Sequence, residues 1–165
     1  GAIGVAGMFN CYYVEGNTAA IDGTFAPVEI HGLAGTEWAV FRHRAQDCRL
    51  MKRGETLALS LRPLEYELFT ASPLLQGVAG AVIAPLGLLE KMNGSCTVQA
   101  TRFEAPNRFI CEMNGGGTAG FWCKTKPRGV LAADKKTAFT FDAVTSLLRV
   151  PLADSAAIVT VTIEW

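Results

Sequence analysis

Short stretches of alternating apolar and polar residues dominate the chain. Between residues 57 and 61 every second residue is leucine, and beyond Pro63 the alternation resumes with Leu64, Tyr66 and Leu68. A period of two residues is that of a half-buried β-strand. Because proline cannot donate a ladder hydrogen bond, we expect Pro63 at a strand boundary or bulge. This stretch predicts two strands that meet near Pro63.

Similar segments recur along the sequence at intervals of roughly 8–12 residues, with turn residues between them, as in β-sandwiches and barrels. The first, residues 2–9, is apolar on both faces and predicts a central strand. Single helical turns are expected at most at residues 86–92 and 143–148. We therefore expect residues 1–165 to form one all-β domain, an antiparallel β-sandwich with little or no helix. The further predicted strands are residues 25–31, 37–44, 49–52, 81–89, 96–103, 108–113, 120–126, 130–133, 137–141, 146–150 and 156–165.

Composition and charge exclude several classes of partner. Half of the 165 residues are hydrophobic, which is ample for a packed core. The 15 basic and 15 acidic side chains cancel and no basic cluster occurs, which argues against nucleic acid and against an anionic membrane surface. The apolar runs are broken well short of a membrane span.

The cysteines indicate the compartment. There are five, an odd number without a C-x-x-C pair, and this favours free thiols in a reducing, intracellular environment, cytoplasmic or plastid. They are too scattered for a metal site, and His31 and His43 stand alone. No signal peptide is visible, and the sequence begins without methionine, so we expect a piece of a longer protein or a processed or tagged chain.

Glu65 and Glu67 are the nearest approach to a catalytic pair. On one strand they share a face about 6.8 Å apart, whereas a retaining glycosidase needs its carboxyl groups about 5–5.5 Å apart across a sugar. The two side chains would project in parallel rather than face each other over a cleft. A polar face paired with Arg42, Arg44 or Arg62 is the favoured interpretation. No catalytic, cofactor-binding or metal-binding residue is predicted.

Aromatic residues are the remaining candidates for a binding site. Tyr12, Tyr13 and Trp122 could stack on a sugar ring or contact a partner protein, although aromatic residues in strands are more often core. Tyr12 and Tyr13 stand in a loop flanked by polar residues and glycine. We expect these two tyrosines to be exposed.

Five segments, in this order and spacing, resemble the C-terminal region of raffinose synthases and the related alkaline α-galactosidases, or seed imbibition proteins. Each is close to a family motif: G-V-x-G-x-F-N-C, V-Y-x-H-R, L-E-Y-E-V-F-T-V-S-P, F-A-P-I-G-L-L and F-G-A-Y-S-S-x-K-P. The family's Q-G-A-G-W is replaced here by residues 12–16. The matching segments are residues 4–11, 40–44, 64–73, 83–89 and 120–127.

The resemblance implies a function by position. Enzymes of this family cleave or transfer an α-galactosyl group with two carboxylates of a (β/α)₈ barrel, which precedes the region resembled here. These 165 residues lack the βα alternation of such a barrel. No catalytic residue of the family is therefore transferred, and the chain is not expected to be an enzyme on its own. The resemblance implies a β-sandwich accessory domain whose partner is the barrel or another protein chain.

Two other functions stay open. One is a free-standing carbohydrate-binding module that takes an α-galactoside on exposed aromatic rings. The other is a structural subunit of a larger assembly that keeps the sandwich without the barrel.

Overall fold

The computed structural model describes residues 2–78, 80–104, 106–154 and 157–165. Sixteen strands occur in the described chain, together with 3-10 helices at Pro27–Glu29 and Gly94–Thr97. The fold is all-β with antiparallel pairing, as the alternation predicted. The strands are β1 (Gly4–Phe9), β2 (Ile21–Phe25), β3 (Glu37–Arg42), β4 (Asp47–Lys52), β5 (Leu57–Leu61), β6 (Tyr66–Pro73), β7 (Leu75–Gln76), β8 (Val82–Leu88), β9 (Val98–Glu104), β10 (Arg108–Asn114), β11 (Gly117–Cys123), β12 (Gly129–Ala132), β13 (Lys135–Lys136), β14 (Thr140–Asp142), β15 (Leu147–Leu152) and β16 (Ile158–Glu164).

The chain divides into two compact units, Gly1–Pro73 and Leu74–Trp165. That residues 1–165 form one domain stays a prediction, since this division into compact units does not test it. No helix in the described ranges is long and apolar enough to cross a membrane.

The first unit is a four-stranded sheet in the order β1-β6-β3-β4 and a two-stranded sheet of β2 and β5. One core joins the two sheets, because Phe25 of β2 and Phe69 of β6 stack with ring centroids 4.0 Å apart. Burial of such aromatic side chains supplies most of the driving force for this layer pair. The buried core residues are Phe25, Trp38, Val40, Met51, Leu57, Phe69 and Ala71.

The second unit is a β-sandwich of two five-stranded sheets. Their orders are β13-β12-β16-β10-β9 and β14-β15-β11-β8-β7. Side chains of both sheets share one apolar core, in which Phe109 of β10 meets Phe121 of β11 edge-on at 6.4 Å between ring centroids. The sandwich predicted from the short, regularly spaced strands is therefore found in this unit.

Several predicted elements are wrong in detail. The strand predicted at residues 2–9 forms as β1 at the edge of its sheet, not at the centre, since among the described strands it pairs only with β6. The strand predicted at residues 25–31 ends at Phe25, because Pro27 opens a 3-10 helix. No helical turn occurs at residues 86–92, whose first three residues are the end of strand β8. Residues 143–146 form a turn, and residues 147 and 148 begin strand β15.

The alternation around Pro63 is confirmed in part. Pro63 lies in the turn between β5 and β6, as expected. Leu64, however, has a φ of +65° and is exposed, and β6 starts only at Tyr66. From Glu67 to Ser72 both faces of β6 are buried, so the predicted alternation of exposed and buried positions does not continue there.

Candidate functional site

Glu67 is buried with only 6% of its surface exposed, which excludes the polar face predicted for it. Its carboxylate accepts hydrogen bonds from the backbone N–H groups of Arg44 at 2.8 Å, Leu68 at 3.0 Å and Ala45 at 3.2 Å. Such charge-assisted bonds compensate for the loss of water around a buried carboxylate. Glu67 is therefore an anchor for the turn after β3, with its oxygens occupied by the protein's own amides.

Glu65 is more exposed and holds the same turn from outside. Its carboxylate forms a salt bridge with Arg44 at 2.9 Å, one of the pairings predicted, and accepts a hydrogen bond from the Arg62 backbone. The Arg62 N–H, followed by the Arg44 guanidinium, lowers the pKa of Glu65. The two glutamates thus bind one turn and do not oppose each other across a cleft.

His43 completes this arrangement, which we term the 43–45 clasp: residues 43–45 bound to Glu65, Glu67, Leu68 and Thr70. The His43 ring nitrogen Nε2 lies 2.9 Å from Thr70 Oγ1, and the His43 N–H donates to the Leu68 carbonyl at 2.9 Å. The clasp joins the segments 40–44 and 64–73, two of those that resemble the family motifs. These motifs therefore have a structural explanation.

A second ion pair lies beside the clasp. The Arg42 guanidinium donates to the Asp47 carboxylate, with Nε to Oδ1 at 2.7 Å. This hydrogen bond lowers the pKa of Asp47 below its usual range.

The Asp47 pair predicts a pH dependence of stability. A carboxyl group with a lowered folded-state pKa stabilises the fold above its unfolded pKa of about 3.9, and this contribution is lost as pH falls through the folded value. Asp47→Asn is therefore expected to remove less than about 1 kcal/mol at pH 7, since the pair is partly exposed, and nothing at the acid end. Urea unfolding of both proteins between pH 2 and 7 measures this; curves that stay parallel throughout contradict it.

The aromatic candidates separate into two groups. Tyr12 and Tyr13 are 55% and 65% exposed, as the sequence predicted. Trp122 is only 8% exposed, since β11 is buried on both faces. Trp122 therefore does not offer its ring to a ligand.

An apolar surface next to Tyr12 was not predicted. Phe9, 58% exposed, stacks on Tyr66 with ring centroids 5.9 Å apart. Phe9, Tyr12 and Ile21 also line one cavity of about 380 Å³, together with Asp22. We refer to the three aromatic residues Phe9, Tyr12 and Tyr66, together with the neighbouring Ile21, as the aromatic surface. This surface is exposed because β1 lies at the edge of its sheet. The residue pattern does not reveal that position, so the sequence contains no signal for it.

Comparison with known proteins gives the family. The family model described as "Raffinose synthase or seed imbibition protein Sip1" matches residues 17–152. The chain belongs to this family. The match contains the whole 43–45 clasp, and the membership relates the chain to carbohydrate metabolism.

Two relatives of the chain in the raffinose synthase family are plant proteins. The chain is 25% identical to "Probable galactinol--sucrose galactosyltransferase 6" of Arabidopsis thaliana over 90% of its own length and 23% of the relative's. It is 26% identical to the "Galactinol--sucrose galactosyltransferase" of Oryza sativa subsp. japonica, over 76% of the chain and 19% of the relative. The chain thus spans less than a quarter of the length of these relatives.

Other reactive groups of this raffinose synthase family chain are dispersed. Cys11 and Cys96 are exposed, and burial raises the pKa of the Cys111 thiol to about 12. Across the described residues no cluster of three or more histidine, cysteine or acidic side chains is placed to hold a metal ion.

Proposed function

We propose that these residues serve as a non-catalytic β-accessory region of a raffinose synthase-like α-galactosyl transferase or hydrolase. Their role is to support a (β/α)₈ barrel that performs the chemistry. The observation that carries the proposal is the state of Glu65 and Glu67. Their oxygens are held by backbone amides and by Arg44, so neither is poised as an acid or nucleophile at a sugar.

The aromatic surface supports the need for a partner. Phe9 and Tyr12 expose more than half of their surface, and Leu64, in the turn between β5 and β6, is 69% exposed. Contiguous exposed apolar side chains of this kind mark interaction surfaces. With the exposed thiols of Cys11 and Cys96, they fit a protein that works beside a second domain in a reducing compartment, cytoplasm or plastid.

A chimera tests the proposal. In the Arabidopsis relative named above, this chain replaces the matched region, and galactosyl transfer from galactinol to sucrose is measured. We expect the chimera to recover activity that deletion of the same region removes. A chimera that folds but is no more active than the deletion contradicts the proposal.

A second candidate is a carbohydrate-binding module, favoured by the exposed rings of Phe9 and Tyr12 at the mouth of the cavity of about 380 Å³. Aromatic faces of this kind stack on sugar rings. Calorimetric titration with raffinose, stachyose and galactose decides this alternative. Absence of heat with all three sugars eliminates it, and heat that is lost in Tyr12→Ala supports it.

A further inference from the structure

β1 is an edge strand that lacks the usual protection of edges. Its six residues, G-V-A-G-M-F, include no charged side chain and no proline. Exposed edges are normally shielded by charge, by proline or by shortness. Among the described strands at the edges of the four- and five-stranded sheets, the others are charged or at most three residues long. These are β4, β7, β9, β13 and β14.

The open edge of β1 has a definable set of unpaired backbone groups. The backbone groups of Asn10, the residue after β1, point toward the segment that leads into β6. The Asn10 N–H donates to the Glu65 carbonyl and the Asn10 carbonyl accepts from the Leu64 N–H, both at 2.9 Å. In an antiparallel strand the direction of the peptide groups alternates. The backbone N–H and C=O groups of Ala6 and Met8, two and four residues before Asn10, therefore also point toward β6. Val5, Gly7 and Phe9 present three N–H and three C=O groups at the open edge.

A groove runs beside this edge. A cavity of about 460 Å³ is bounded by Val5–Met8 on one side and by Thr24 and Phe25 of β2 on the other. The cavity of about 380 Å³ continues it past Met8 toward Tyr12. Met8 lines both, so the two cavities follow the length of β1.

The groove also has a charge preference. Its lining within the described chain includes the acidic residues Asp22 and Glu29 together with His31, and no lysine or arginine. The remaining lining is mainly apolar, with Ala6 and Met8 packed against the core of the first unit. An extended segment with alternating apolar and basic side chains would satisfy the backbone groups, the apolar floor and the carboxylates together.

We propose that the groove takes an added β-strand, which pairs with Val5, Gly7 and Phe9 and extends the four-stranded sheet to five. The occupant is an extended segment of the additional polypeptide that family-length proteins contain, since the matched region is about a quarter of the relatives. The inference rests on the proposed function in this respect, because it names the surface by which the accessory region is joined to its partner.

Amide hydrogen exchange, followed by NMR, tests the open edge in the isolated chain. The amides of Val5, Gly7 and Phe9 are expected to exchange rapidly, whereas those of Ala6 and Met8, which point to β6, are protected and serve as controls on the same strand. Equal protection of all five amides overturns the proposal. Protection that appears only at high protein concentration also overturns it, because the occupant is then a second copy.

The chimera tests the occupant. Protection of the Val5, Gly7 and Phe9 amides is expected to rise about tenfold or more over the isolated chain. Val5→Pro removes an edge N–H and should lower both this protection and galactosyl transfer, whereas Val78→Pro, at a fully exposed loop valine, should not.

The outcomes separate the two proposals. An active chimera with unprotected edge amides overturns the added strand and leaves the proposed function standing. An inactive chimera with protected edge amides contradicts the proposed function and supports the added strand. An inactive chimera without protection contradicts both.

Discussion

Glu67→Gln is expected to lower the free energy of unfolding by about 2–3 kcal/mol. The carboxylate accepts from three backbone amides in a site that is almost closed to water. Glutamine retains one acceptor oxygen and places an NH₂ group against N–H donors, so at least one buried amide loses its partner. Urea unfolding at pH 7 measures the loss.

Glu65→Gln is the matched control. This side chain lies two residues earlier, is partly exposed and makes a salt bridge with Arg44. Exposed pairs of this kind contribute little to stability, so the variant should unfold close to wild type. Equal effects of the two substitutions would show that the clasp does not depend on burial of Glu67.

Gly94→Ala is expected to destabilise the second unit by about 3 kcal/mol or more. A Cβ built at Gly94 would lie 1.8 Å from the Leu88 carbonyl oxygen, which belongs to the backbone and has no rotamer to escape. The same contact restricts Gly87, where φ is +87° and a Cβ would lie 2.1 Å from the Gly94 oxygen. Two backbone segments therefore meet at these glycines, and only a shift of one of them admits a methyl group.

Gly129→Ala provides the comparison for Gly94. It lies in the same unit, on a strand, and the nearest atom to an added Cβ is a Glu164 side-chain oxygen at 3.9 Å. The substitution should change the thermal midpoint by a degree or two at most. A Gly94→Ala protein that melts with the Gly129→Ala protein contradicts the close approach.

The strands of this protein were predictable where burial follows a simple alternation. Leu57, Leu59 and Leu61 alternate with smaller residues, and β5 results. Pro63 marks the following turn because it lacks a donor. The alternation and the missing N–H of proline are properties of neighbouring residues, so they can be read from the sequence.

The role of Glu67 was not predictable from the same stretch. Its alternation with Leu64, Tyr66 and Leu68 suggests an exposed carboxylate, but β6 is buried on both faces from Glu67 to Ser72. Two of the three amides that bind Glu67 come from Arg44 and Ala45, more than twenty residues away. Only the pairing of β3 with β6 brings them together.

Exposure of the aromatic residues was likewise predictable where it depends on local sequence and not where it depends on strand pairing. The polar loop around Tyr12 and Tyr13 predicted their exposure from composition alone. Trp122 is buried and Phe9 exposed because β11 is central and β1 is an edge strand. Strand order within a sheet depends on long-range pairing, which the period of two does not encode.

The most direct measurement is an activity assay of the purified 165-residue chain. Hydrolysis of p-nitrophenyl α-galactoside and galactosyl transfer from galactinol to sucrose are both followed at pH 7. We predict no turnover above a blank without protein. Turnover that co-purifies with the chain and disappears in Glu65→Gln, a variant expected to keep the fold, would contradict the account.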